Sequence, residues 1–151
     1  MWRSISTMLL ALAFTTCGGD GSGPTDPGDG NGNGFNVSGT WRVTARVIET
    51  TCEGIELGDE ETEEVIIEHE GDQITFIVAG IGSVMGTIDV ETGEFEIVAD
   101  VFVPGVGSLA LQESGRFTSE TNYTSQETVT FEDASVVCHF RTADEGTRIS
   151  S

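Results

Sequence analysis

Apolar and polar residues alternate along most of the chain after residue 36, and a period of two is typical of half-buried β-strands. In the first such stretch Trp41 and Val43 fall on one face, while Arg42 and Thr44 fall on the other. Trp41 is the largest apolar side chain of this region, and we expect it to seal one end of a core. No stretch after residue 36 shows an apolar stripe of helical period, so the pattern predicts an all-β domain.

The alternation recurs seven more times, and turn signals such as Gly71-Asp72 and Pro104-Gly105 separate the repeats. An acidic stretch, 53–64, is too charged for a buried strand and is interpreted as a long exposed connection. The predicted strands span 40–50, 63–70, 73–79, 83–90, 94–103, 107–118, 123–131 and 135–143. Because most connections are short, sequential strands should pair antiparallel.

The first 17 residues have a different pattern and are interpreted as an export signal. Arg3 precedes an apolar run, 8–14, which is far shorter than the roughly 20 residues of a membrane-spanning helix. Cys17 follows this run after two threonines. The order resembles a bacterial lipoprotein signal, which implies lipidation of Cys17. The expected location is the cell envelope, membrane-anchored on the outer-membrane or periplasmic side, or the extracellular space.

Residues 18–35 form a predicted disordered linker between this anchor and the domain at 36–149. The stretch 18–34 carries eight glycines and no aliphatic side chain, so it cannot bury enough apolar surface to offset its ordering entropy. Asp29 begins a run that matches the first half of a calcium loop. The twelfth position is Thr40 instead of the required glutamate, so we predict no metal site.

Eight sequential antiparallel strands either close into a barrel or leave two exposed edges. The sequence predicts a closed up-and-down barrel, with a β-sandwich as the alternative. Cys52 ends the first strand and Cys138 lies in the last, and closure makes these strands neighbours. Since exported cysteine pairs are usually oxidised, we predict a Cys52–Cys138 disulfide. Two separate buried thiols, or pairing with an unlipidated Cys17, are the alternatives.

Gly39 and Trp41 open the first strand in a way that resembles the G-x-W start of lipocalins, over residues 36–149. The resemblance implies an arginine of the last strand packed across the tryptophan, for which Arg141 is the candidate. If Cys52 lies opposite Cys138, however, Arg141 falls opposite Glu49, roughly 25 Å along the ladder from Trp41. Either Cys52 lies in a loop that folds back, or Arg141 is not the family's arginine.

The net charge is −20, because six arginines and no lysine stand against 26 acidic residues. Such a field repels nucleic acid and anionic lipid surfaces, so we expect no nucleic-acid partner and no membrane contact beyond a lipid anchor. Most of the carboxylates are interpreted as a solvated surface.

The sequence contains no recognisable catalytic motif. His69-Glu70 begins a zinc-protease pattern, but Gln73 stands where the second histidine is needed. Without lysine there is neither a P-loop nor a Schiff base, and no G-x-S-x-G motif occurs. We therefore predict neither an enzyme nor a cofactor.

Tyr123 and Arg141 are the candidate ligand-binding pair, because together they could hold a carboxylate head group inside an apolar barrel. The prediction for function is a module that binds a small apolar or amphipathic molecule. The alternative is a structural or interaction module with a filled barrel and no ligand.

Overall fold

The computed structural model describes residues 36–103, 107–133 and 136–151, so the predicted signal, Cys17 and the linker lie outside the described residues. Eight antiparallel strands close into a barrel in chain order, which confirms the predicted fold class and excludes the sandwich. The described ranges hold no helix that is both long and apolar enough to span a membrane. The strands are β1 (Gly39–Thr50), β2 (Glu60–Glu70), β3 (Gln73–Val78), β4 (Gly82–Ile88), β5 (Glu94–Val103), β6 (Gly107–Ser119), β7 (Asn122–Asp133) and β8 (Val136–Ser150).

Strand β2 begins three residues earlier than the sequence pattern predicts, so part of the acidic stretch is strand and not loop. Two of its outward-facing acids meet arginines of β1. Glu60 lies 3.9 Å from Arg46 and Glu64 lies 3.8 Å from Arg42. Charge therefore does not exclude a strand here, because the outward acids stay solvated beside arginines while alternate positions face inward.

Closure is made by β1, which pairs with β2 on one side and with β8 on the other. Thr50 of β1 lies opposite Phe140 of β8, and just beyond this pair the Cα atoms of Cys52 and Cys138 are 5.0 Å apart in a disulfide. The predicted disulfide is confirmed, and it joins the first strand to the last.

The end of the barrel farthest from the disulfide is filled by an aromatic cluster, which we call the base. Its five rings have neighbouring centroids 5.1 to 6.1 Å apart. Trp41 is fully buried, as expected, and its indole Nε1 donates a hydrogen bond of 2.9 Å to the carbonyl oxygen of Val37. The base comprises Trp41, Phe76, Phe95, Phe117 and Tyr123.

The arginine that lies opposite Trp41 is Arg148, so the assignment of Arg141 to that place was wrong. A register shift in the β1–β8 ladder, between Val47 and Glu49, brings Arg148 into line with the tryptophan. The Arg148 guanidinium donates to the backbone carbonyl oxygens of Asn36 (3.1 Å), Glu120 (3.4 Å) and Ser38. It thereby ties the segment before β1 to the base.

Gly146 of β8 lies directly opposite Tyr123 of β7, and the Tyr123 ring lies against its backbone. A Cβ atom at this position would overlap the ring. We expect Gly146→Ala to lower the free energy of unfolding by about 1–3 kcal/mol, because a well-packed core must shift to admit the methyl group. Urea unfolding measures the loss, and Glu145→Ala at the exposed neighbour should change stability by less than about 0.5 kcal/mol. Equal effects of the two variants would contradict this packing.

Candidate ligand site inside the barrel

Above the base, inward-facing positions of four strands carry carboxylates, a set we call the acid belt. Its register is set by the pairing of β6, β7 and β8: Glu113 lies opposite Glu127, and Ser125 lies opposite Asp144. Glu63 joins from β2, where it shares a face with the buried Val65. The belt comprises Glu63, Glu113, Glu127 and Asp144, together with the hydroxyls of Ser125 and Thr142.

One hydroxyl lies between two of the carboxylates. Ser125 Oγ donates to Glu113 Oε1 at 2.6 Å and lies 3.5 Å from Asp144 Oδ2. A serine hydroxyl has a single hydrogen, so it can satisfy only one of these acids at a time. The other acid needs a proton or a positively charged partner.

Burial is the main cause that raises the pKa of Glu113 to about 7; the Ser125 hydrogen bond opposes this rise, and the nearby Asp144 and Glu63 contribute to it. Burial likewise raises the pKa of Glu127 to about 8, with contributions from the other three carboxylates of the belt. These two acids therefore change charge near neutral pH, whereas an ordinary glutamate is ionised throughout that range.

The pKa of Asp144 is raised by burial, and that of Glu63 is raised by burial together with repulsion from Glu61 and Asp144. The Glu63 side chain is nevertheless exposed to solvent. A raised pKa and an exposed side chain occur together when a carboxylate lies near the open end of a barrel, where water reaches a group that protein atoms partly surround. Burial and the four belt carboxylates also raise the pKa of Tyr123 well above its ordinary value, because its ring lies directly beneath the belt.

Two polar atoms of the belt are buried without a hydrogen-bond partner: Thr142 Oγ1 and Asp144 Oδ1. Each of these residues is 5% exposed. Buried polar atoms are normally paired, so these two identify unused hydrogen-bonding capacity in the barrel interior.

The acid belt has no positively charged partner within the described part of the chain. Every arginine there contacts a carboxylate outside the belt or a backbone carbonyl, and His139 lies 3.7 Å from Glu49. Among the same residues, no three His, Cys, Asp or Glu are placed to hold a metal ion. The arginines concerned are Arg42, Arg46, Arg116, Arg141 and Arg148.

On β5 and β6, the inward-facing residues between the acid belt and the disulfide end are apolar and only partly buried, and we call this region the mouth. Ala99 lies opposite Leu111 and Val101 opposite Leu109, so two adjacent strands present aliphatic side chains to the interior. All four are partly accessible to solvent. From the base towards the disulfide end, the inward-facing residues are therefore aromatic, then acidic, then aliphatic on β5 and β6, and we call this interior the cup.

The structure does not bring the predicted ligand-binding pair together. Tyr123 is buried in the base, but Arg141 lies on the outer surface, where its guanidinium contacts Glu49 at 3.2 Å and Gln126 at 2.8 Å. Arg141 therefore cannot hold a head group inside the barrel. Arg141 lies opposite Glu49, as expected if Cys52 lies opposite Cys138.

A separate concavity of about 740 Å³ lies on the outside of β6, β7, β8 and β1. Its lining includes outward-facing residues such as Thr44 and Gln126. It also includes Gly115, Ser125 and Asp144, which occupy inward-facing positions of their strands. Most of its lining residues face outward, as expected for a hollow between two rows of outward side chains on a twisted sheet.

The sequence reasoning missed the acid belt, although alternation contains the signal. Glu113 is an even number of residues from Leu111 and Phe117, and Glu127 is an even number from Tyr123 and Val129, so each lies on the apolar face of its strand. A carboxylate on the apolar face of a strand is unusual, because burying a charge is costly. Their spacing from the apolar residues could therefore have identified Glu113 and Glu127 as inward-facing carboxylates.

No protein-family model matches the chain, and no curated protein matches it. A solved structure described as "Structure of EF1p2_mFAP2b bound to DFHBI" is similar, with a TM-score of 0.49 and 15% sequence identity over 75% of this chain and 94% of that one.

Proposed function

We propose that this protein binds a small apolar or amphipathic molecule in the cell envelope, where a lipid on Cys17 would anchor it. The observation that carries the proposal is the contrast between the two ends of the interior. Trp41 and Phe117 in the base are 0% and 1% exposed, whereas Leu111 and Ala99 at the mouth face inward and remain partly exposed. An eight-stranded barrel can hold one small ligand where side chains do not fill it.

The start of the domain supports the same proposal. Gly39 and Trp41 resemble the opening of lipocalins, and Arg148 lies opposite the tryptophan in the place first assigned to Arg141. We propose a binding role and not catalysis, because the sequence contains no catalytic motif and the cup presents carboxylates among apolar walls.

Uptake of a neutral fluorescent probe, Nile red, tests the proposal. We expect an increase in fluorescence with saturable, one-to-one binding to the folded, oxidised protein. Ala99→Phe adds a ring inside the mouth and should weaken binding by about 10-fold, because it fills the space that the probe requires. Ala110→Phe makes the same substitution at an exposed, outward-facing position of β6 and is the matched control.

Saturable binding that Ala99→Phe weakens and Ala110→Phe does not would support a ligand inside the cup. Equal effects of the two variants would place the probe on the surface. Failure of the wild-type protein to bind Nile red or any alkyl chain would instead support the alternative, a filled barrel with a structural or interaction role.

A further inference from the structure

We infer that the ligand has a positively charged head group, an ammonium or a guanidinium, which the acid belt binds while the apolar body lies against the mouth. This inference rests on the proposed function, because it names the chemical class of the molecule that enters the same cup. It commits to an organic cation with an apolar tail.

The first argument is uncompensated charge. Four carboxylates converge from β2, β6, β7 and β8, and within the described ranges none has an arginine or histidine at ion-pair distance. Buried charges are normally paired, since removing an isolated carboxylate from water is costly. A ligand cation supplies the partner that this chain does not.

The second argument is unused hydrogen-bonding capacity, which is independent of charge. Thr142 Oγ1 makes no hydrogen bond of 3.5 Å or less, although its hydroxyl is near enough to lower the pKa of Asp144, and Thr142 lies opposite Glu127 on the inward face of β8. Asp144 Oδ1 is also unpaired and can only accept once the acid is ionised. An alkylammonium group carries several donors and no acceptor, so it complements both atoms, whereas an anionic head group would be repelled by the four carboxylates.

The third argument comes from what lies on either side of the belt. Below it is the ring of Tyr123, whose face attracts cations at short range, and above it are aliphatic side chains of β5 and β6. This order matches a molecule that is charged at one end and apolar at the other. A calcium ion fits less well, because it takes six to eight oxygen ligands and no three described acids are placed to hold a metal.

Protons compete with such a cation for the carboxylates. The groups that face the belt are Glu63 on β2, Glu113 on β6, Glu127 and Tyr123 on β7 and Asp144 on β8, with Glu61 beside Glu63. The raised pKa values of Glu113 and Glu127 mean that both acids are largely protonated at pH 5.5 and mainly ionised at pH 8.5. Cation binding should therefore strengthen as the pH rises through this interval and should release protons.

Calorimetric titration with three ligands of equal chain length tests the inference: octylammonium, 1-octanol and octyl sulfate, each below its aggregation limit. At pH 8.5 we expect the ammonium to bind at least about 10-fold more tightly than the alcohol, and the sulfate to bind most weakly. At pH 5.5 the preference for the ammonium should fall by about 10-fold. Calcium chloride alone is titrated in parallel.

Paired variants separate the belt from the overall negative charge of the protein. Glu113→Gln with Glu127→Gln removes two charges inside the cup and should reduce ammonium binding by about 10-fold, while octanol binding stays within about 2-fold. Glu96→Gln with Glu145→Gln removes two charges from exposed outward positions and should leave both affinities unchanged. Circular dichroism checks that all variants remain folded.

Equal affinity for octanol and octylammonium, or equal effects of the inner and outer variants, would overturn the cationic head group and leave the proposed function standing. If neither octanol nor the ammonium binds, the proposed function itself fails. Calcium binding that displaces the ammonium would reassign the belt to an inorganic ion and would overturn the organic one.

Discussion

Replacing Cys52 and Cys138 together with alanine should lower the free energy of unfolding by about 4–5 kcal/mol at 25 °C, the largest effect we expect from any change in this chain. The disulfide joins residues 86 positions apart. In the chain-entropy account, a cross-link of that span removes many conformations from the unfolded state. Denaturation in urea of the oxidised protein and the double variant measures the difference between them.

Reduction of the wild-type protein provides the control for this experiment. Because alanine and reduced cysteine differ little in volume, dithiothreitol should reproduce most of the loss seen in the double variant. A loss below about 1 kcal/mol would show that strand pairing between β1 and β8 holds the barrel closed without the cross-link.

The second large effect is a decrease in stability as the pH rises, opposite to the behaviour of proteins whose acids are salt-bridged. The pKa of Glu113 is raised in the folded state from 4.5 to about 7, so the folded protein binds that proton more tightly than the unfolded chain does. Between these pH values the folded state carries more protons, and its stability falls as they are lost. Glu113 alone should account for about 3 kcal/mol.

Glu127, whose pKa is raised to about 8, also makes the folded state less stable as it loses its proton. Its contribution is smaller than the shift suggests, because solvent partly reaches its side chain. Urea unfolding at pH 5, 7 and 9 measures the trend. Glu113→Gln keeps an oxygen for the Ser125 hydroxyl and removes the charge. This variant should reduce the dependence of stability on pH and raise the free energy of unfolding at pH 9 by about 3 kcal/mol.

Glu96→Gln, at an exposed position of β5, is the matched control and should leave the slope unchanged within about 0.5 kcal/mol. A wild-type protein that is more stable at pH 9 than at pH 5 would contradict the burial of Glu113. Greater stability of Glu113→Gln together with weaker cation binding would show a site maintained at a cost to the fold.

Barrel closure and the disulfide could be predicted from the sequence, because both depend on alternation and on strand order. A period of two determines which side chains share a face, and short turns make neighbours of sequential strands. The cysteines of the first and last strands then become adjacent through closure alone. No knowledge of packing detail was needed for either prediction.

The partner of Trp41 could not be predicted, because it depends on irregularities in a ladder. One register shift, between Val47 and Glu49, separates Trp41 from the disulfide along β1, and it changes the residue opposite Trp41 from Ile149 to Arg148. Arg141 was selected from the resemblance to lipocalins, although regular pairing placed it opposite Glu49. Arg148 lies outside the strand predicted at 135–143, so its position became visible only once β8 extended to Ser150.

The acid belt was obscured by composition. Among 26 acidic residues, alternation distinguishes Glu113 and Glu127 as inward-facing, but it does not show that they lie beside other inward-facing acids. Polar groups interrupt the apolar inner face at neighbouring positions of three paired strands, namely Glu113, Ser125, Glu127 and Asp144. Such a row can be recognised only after the register is known.

The place where the domain begins has a consequence for orientation. Arg148 holds Asn36 and Ser38 beside the aromatic floor, so the polypeptide reaches the barrel from the end opposite its opening. A protein fused before Asn36 would therefore be attached beside Trp41, at the opposite end of the barrel from Cys52 and Cys138.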